Sequence, residues 1–275
     1  MSIYSWLFGV PAILVYLTAA GAMIFSLRQD YPAPDSTHRL RIPVLALGWV
    51  AVGLHALATI VDIGTAGVVN LGFLSASSLV TLFIVCILLL ASLAKPVDKL
   101  GIIIFPISAV VLALKMSFPA DNHVPRDHSW PMSIHILVSM LAYSFLNIAA
   151  IQAILLALQE WRLRSHHRSR LSRSLPPLQT MESLLFQLIG AGFVLLSVSL
   201  ATGFIFLEDL FAQHLAHKTV LSLTAWLVFA VLLWGRLVHG WRGQTAIRWT
   251  LGGFAALMLG YFGSKAVLEL ILHRV

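Results

Sequence analysis

Apolar residues run through this chain in long blocks separated by short polar stretches. A helix needs about 20 mostly apolar residues to cross a bilayer. Eight blocks read as such helices, at roughly 4–27, 41–61, 71–94, 100–118, 131–159, 181–207, 217–238 and 246–272. The fourth is short and carries Pro106, which predicts a kink or tilt. The first has no basic stretch before it and is too long for a secretory h-region, so it reads as a span. Connections are short, and the longest, at about 160–180, is a loop rich in Arg, Ser and Pro. The pattern predicts an all-α, polytopic integral membrane protein of about eight transmembrane helices. It forms a single membrane domain over 1–275, with four spans in 1–129 and the rest in 130–275. On the last span, Gly252, Ala256 and Gly260 form a small-xxx-small stripe that predicts close helix packing.

Composition agrees. The chain is 59% hydrophobic and 11% charged, against about 45–50% and about 25% in a soluble domain. A soluble enzyme and a disordered chain are both excluded. The single cysteine, Cys86, allows no internal disulfide, and neither CxxC nor CxxCH occurs. The chain is therefore not itself a c-type cytochrome.

The net charge of +7 is distributed unevenly. Thirteen of the 18 Lys and Arg residues fall after the first, third and fifth spans and around the end of the seventh. The other five are Lys115, Arg126, Lys218, Lys265 and Arg274. The positive-inside rule makes the thirteen cytoplasmic and puts both termini outside. The basic run from Arg162 to Arg173 lacks interleaved aromatics and is accounted for by topology, so no nucleic-acid partner is expected.

Eleven histidines are the chemical signal. His55 lies about 21 Å along an outward-running span, His135 about 8 Å below the outer surface, and His217 at the outer boundary, taking 1.5 Å per residue. Three separate helices thus bring an imidazole to a similar outer depth. Imidazole is a good iron ligand, and two can hold a haem from opposite faces. His135, His217 and His55 are the candidate cofactor and metal ligands. Lys218 is a candidate partner for a haem propionate, as are Arg126 and Lys265. Trp130, Phe73 and Trp226 could line the slot. Each histidine also has a plain reading: an interhelical hydrogen bond for His55, a satisfied interface residue for His135, a solvated helix start for His217. His214 is a spare candidate. Asp62, Glu208 and Asp209 read as loop acids at outer ends, and Lys265 with Glu269 as a pair. There is no GxSxG, HExxH, P-loop or GxGxxG, so no catalytic residue is assigned and no enzyme activity is expected.

The segment Trp130–Glu160, WPMSIHILVSMLAYSFLNIAAIQAILLALQE, resembles the corresponding span of the CcsA/ResC/CcmC-type cytochrome c assembly proteins. His135, Met140 and Tyr143 occupy the places of that family's His, Met and Tyr. LPPLQTMESLLFQLIGAGF, HKTVLSLTAWLVFAVLLWGR and Tyr261-Phe262-Gly263 extend the resemblance, which looks closest to the YpjD/HemX-like branch. It implies that 130–275 is the family's core and that outward histidines flank a haem-handling site, with His135 as one of them. The tryptophan-rich WWD loop of the family should precede Lys218, but the stretch here reads EDLFAQHLAH. Trp234 stands where the classical members carry a transmembrane histidine, and His273 lies about one residue from their final outward one. The resemblance therefore implies a haem-binding protein of the bacterial inner membrane that holds or passes b-type haem (haem b) without that loop. Its partners would be haem, the lipid bilayer and other cytochrome c or haem-pathway membrane proteins. Two other readings stand beside it: a transporter of a metal cation or small solute, and a regulatory scaffold for a haem-pathway enzyme.

Overall fold

A computed structural model of the chain describes residues 3–28, 34–66, 72–95, 97–118, 130–165, 176–206 and 216–260. These residues are helical almost throughout, in the order α1 (Ile3–Arg28), α2 (Pro34–Ala66), α3 (Phe73–Ala94), α4 (Gly101–Ser117), α5 (Trp130–Arg164), α6 (Leu178–Phe206), α7 (Ala216–His239) and α8 (Gln244–Met258). Helix is what lipid demands, because it satisfies every backbone N–H and C=O within the segment. Among the described residues, seven helical segments are long and apolar enough to cross a membrane. The chain is a polytopic, all-helical membrane protein. α8 begins the eighth predicted block, and the remainder of that block lies outside the described residues. α4 continues through Pro106 and is preceded by a 3-10 turn at Asp98–Leu100. α2 starts and ends beyond its apolar block, and so places Asp62 within a helix rather than in a loop.

The described helices fall into two compact units, α1–α4 and α5–α8. Within the first, α1 packs on α2 and α4, and α3 packs on α2 and α4, which closes a ring of four. Within the second, α5 packs on α6 and α8, and α7 packs on α6 and α8, which closes a second ring. In both, neighbours in sequence are neighbours in space, as short connections require.

Lipid tails are as apolar as leucine, so packing and interhelical hydrogen bonds must hold such rings together. Large apolar side chains such as Leu7, Ile60, Leu93, Val194 and Ile205 are exposed, while Ala12, Ala51 and Ala76 are buried in the first unit and Ala142, Ala149 and Ala225 in the second. On α8 the close approach differs from the predicted stripe by one residue. A methyl group on Gly253 would lie 3.0 Å from both Phe229 and Val228 of α7, and one on Gly260 would lie 3.2 Å from Leu221. Gly252 is exposed, and a methyl there would meet nothing within 4 Å. The α7-facing positions are thus Gly253, Leu257 and Gly260, with Leu257 fully buried between the glycines.

Gly253→Leu should destabilise the protein by about 1–3 kcal/mol, the usual cost of overpacking, whereas Gly252→Leu should leave stability nearly unchanged. Thermal unfolding of the two variants in detergent checks this contrast, and equal losses would contradict the packing described.

Candidate functional site

His55 is on α2 and is completely buried within the first unit. Its Nε2 lies 2.9 Å from Ser78 Oγ of α3, and its Nδ1 lies 3.3 Å from Tyr16 Oη of α1. Tyr16 is itself fully buried and packs against Phe105 of α4, with ring centroids 6.0 Å apart. The imidazole therefore joins three helices and touches the fourth through Tyr16. Serine and tyrosine hydroxyls each donate or accept, so either neutral tautomer of His55 is satisfied on both nitrogens. In this arrangement His55 presents neither nitrogen to a ligand. It fills the interhelical hydrogen-bonding role that was its plain reading.

Toward the C-terminal end of α2, Asp62 Oδ2 meets Lys115 Nζ of α4 at 3.0 Å, with side chains 18% and 11% exposed. Asp62 is not the loop acid expected from its place after an apolar block. Thr59, one turn before it and also buried, donates its hydroxyl to the His55 carbonyl. His55, Thr59 and Asp62 thus share one face of α2 at helical spacing.

In the second unit His135 occupies the first turns of α5 and is half-buried. Its Nδ1 lies 3.1 Å from Thr202 Oγ1 of α6. The Thr202 hydroxyl has one proton, and the carbonyls of Val198 and Ser199, each 2.9 Å away, are nearer acceptors for it than the imidazole. With that proton on a carbonyl, Thr202 accepts from His135 and Nδ1 carries the hydrogen. In the neutral ring this leaves the lone pair on Nε2. One turn along α5, Ser139 donates to the His135 carbonyl at 2.6 Å and accepts from Ser199 of α6, with the hydroxyls 2.7 Å apart. The two contacts form a polar ladder between α5 and α6, His135 to Thr202 and Ser139 to Ser199. A ring fixed through Nδ1 with its Nε2 lone pair available is the usual form of an imidazole ligand.

The other candidate residues are distributed around this ladder. Met140 and Tyr143 point into the unit and are buried, with Tyr143 Oη donating to the Leu257 carbonyl of α8 at 3.5 Å. Trp226 of α7 stacks on Phe193 of α6 at 5.5 Å and donates its indole N–H to Ser197 at 2.8 Å. Trp130, at the start of α5, is 83% exposed. His217 and Lys218 are in the first turn of α7. Lys218 is half-buried, its carbonyl against Gly260, two residues past the end of α8. The His217 side chain lies outside the described residues, as do Arg126, His214, Lys265, Glu269 and His273. Phe73 begins α3 in the first unit and is half-buried. Among the described residues, no three His, Cys, Asp or Glu side chains converge as a metal site would require.

Thr202, Ser199 and Ser139 were missed from the sequence although a signal was there. Ser139 follows His135 by one turn, and Ser199 and Thr202 are three apart on the next apolar block. Polar residues at helical spacing on successive spans are the trace of an interhelical ladder.

The profile of the family described as "Cytochrome C assembly protein" matches residues 38–272. The chain is similar to "Inner membrane protein YpjD" of Escherichia coli, 33% identical over 225 residues, which is 81% of this chain and 85% of that one. It is also similar to "Cytochrome c biogenesis protein CcsA" of Guillardia theta, 28% identical over 187 residues, 60% of this chain and 62% of that one. The protein of the same name from Chlamydomonas reinhardtii is 26% identical over 178 residues, 62% of this chain and 49% of the other. No solved structure matches.

The contrast between the two histidines is testable without any ligand. His55→Leu strands the buried Ser78 and Tyr16 hydroxyls, at about 1–3 kcal/mol for each unsatisfied group. It should lower the melting temperature in detergent well beyond the change caused by His135→Ala, whose ring is half-exposed. Equal effects would mean that the His55 contacts are not a structural junction.

Proposed function

The chain belongs to the cytochrome c assembly protein family, whose profile covers residues 38–272, and from that premise we propose that it is a haem-handling protein of the inner membrane, holding b-type haem at the outer end of its second helical unit. The observation that carries the reading is the 3.1 Å contact of His135 Nδ1 with Thr202 Oγ1, whose own proton has two nearer carbonyl acceptors, a setting that favours the lone pair on Nε2. That arrangement fits an axial ligand. His55, with both nitrogens engaged, does not, and we leave it out of the ligand set.

His135 would ligate the iron, and His217, in the first turn of α7 of the same unit, is the candidate second ligand. Lys218, adjacent in sequence, supplies a cation for a propionate. Haem bound there would supply an iron centre that imidazole can ligate. The protein's own part is to orient one imidazole, balance the propionate charge and keep the polar edge of the site near the membrane surface. Ser139 and Ser199 support the ring indirectly by tying α5 to α6 one turn deeper. The inner-membrane location follows the Escherichia coli inner membrane protein YpjD, and the orientation with both termini outside follows the Lys and Arg distribution. The stretch EDLFAQHLAH before Lys218 contains no tryptophan. We therefore assign the protein to holding or passing haem, with no covalent attachment chemistry of its own.

Purified protein titrated with hemin should develop a Soret band, and His135→Ala should lose it. Thr202→Val removes the acceptor at nearly constant shape and should weaken haem binding by about 10–100-fold, the usual effect of losing a residue that orients a ligand. No Soret band with the wild type, or an undiminished one with His135→Ala, would overturn the assignment.

A further inference from the structure

At the opposite end of the second unit, α7 and α8 are joined by a tight hairpin. Gly240 and Gly243 both adopt positive φ, 65° and 58°, a conformation that favours glycine. The hairpin folds back on α7. Trp241 N–H donates to the Gly235 carbonyl, and a methyl group on Gly235 would lie 2.4 Å from the Trp241 ring. Arg236 donates to the Trp241 carbonyl at 3.1 Å and lies over the Phe186 ring at 4.6 Å. Glu182 of α6 accepts from Gly243 N–H at 3.0 Å and pairs with Arg236 at 3.7 Å. Glu160 of α5 accepts from Gln244. Both carboxylates are thus engaged in holding the hairpin.

This rigid hairpin carries an aromatic row. Trp234 meets His239 at 5.1 Å, His239 meets Trp241 at 6.3 Å, and Trp241 meets Trp249 at 5.5 Å. Beside the row, Leu237 is 85% exposed and Val238 61%. Arg242 follows Trp241 and Arg248 precedes Trp249, and both arginines are exposed. Contact between the two indoles brings these segments together. Arg162 and Arg164 end α5 at the same level. The described charged residues here are Arg162, Arg164, Arg236, Arg242 and Arg248 against Glu160 and Glu182, an excess of positive charge.

We propose that the α7–α8 hairpin is a binding site for an acidic phospholipid, with Arg242 and Arg248 taking the phosphate-bearing headgroup and Trp241 and Trp249 lying at the boundary between headgroup and acyl chains. Two exposed cations interleaved with the half-buried Trp241 and Trp249 rings, beside exposed Trp234 and aliphatic side chains at the end of a membrane-spanning helix, match an anionic amphiphile. A soluble anion would use the arginines and leave the apolar half of the surface unmatched. Tryptophan prefers this depth of the bilayer, and arginines beside it attract acidic lipid. The site does not depend on the haem assignment, which concerns the other end of the unit.

The test uses the full chain in a neutral detergent, titrated with dioctanoyl phosphatidylglycerol and read by native mass spectrometry and tryptophan fluorescence. Dioctanoyl phosphatidylcholine and inorganic phosphate are parallel arms. Phosphatidylglycerol should bind, and Arg242→Gln with Arg248→Gln should weaken that binding by about 30-fold. The corresponding lysine pair should retain most of it, as should Arg162→Gln with Arg164→Gln. Melting without added lipid should match the wild type, because both arginines are exposed. Equal binding of phosphatidylcholine, or an undiminished response in the glutamine pair, overturns the proposal. So does arginine-dependent binding of inorganic phosphate as tight as that of the lipid, which would make this a free-anion site.

Discussion

The contact between His135 Nδ1 and Thr202 Oγ1 decides what the second unit can do, because it bears on which ring nitrogen keeps its lone pair. Its direction comes from a constraint specific to helices in lipid. A threonine hydroxyl there turns its proton to the carbonyls one turn back, and the oxygen remains as an acceptor for the next helix. Thr202 does this toward Val198 and Ser199. An imidazole approaching that oxygen must donate to it. The same histidine facing a free hydroxyl would have no such preference, and His55 illustrates the case. Ser78 and Tyr16 serve both of its nitrogens, and the ring becomes a junction between helices.

Much of the architecture was legible because lipid imposes a coarse code. Blocks of about 20 apolar residues mark spans, and seven described helical segments meet that requirement. What the blocks do not carry is rotation about the helix axis. Depth put His55, His135 and His217 at one level, but depth says nothing of which face each side chain takes. Packing decides that, and it buried His55 completely while leaving His135 half-exposed. Gly252 and Gly253 make the same point, since one residue is about 100° of rotation and it moved the close contact to α7 from the first glycine to the second. Asp62 was misplaced for a different reason. Its helix continues beyond the apolar block, and its charge is met by Lys115, more than fifty residues later in the chain.

The second unit uses its two ends differently. At the His135 end, the contacts between α5 and α6 are hydroxyls and one imidazole, with no carboxylate among the described partners of the ring. Few polar groups are involved, and one of them is an imidazole. At the hairpin end, Glu160 and Glu182 are committed to backbone, amide and Arg236, while Trp234, Arg242 and Arg248 are exposed. That end is a braced structural terminus whose outer surface matches a bilayer boundary. Between them, Gly192 lets α6 approach α5 closely, since a methyl group there would lie 2.7 Å from Leu146. Close approach along this pair keeps the hydroxyl ladder in register.

The most direct test of the account is the protonation pattern of His135 in the ligand-free protein. Solid-state NMR of histidine-labelled protein in lipid, with His135→Ala used to assign the signal, reads the two ring nitrogens separately. The account predicts a neutral ring with the hydrogen on Nδ1 and an unprotonated Nε2, and a change in that pattern in Thr202→Val. A hydrogen on Nε2, or a pattern indifferent to Thr202, would contradict it.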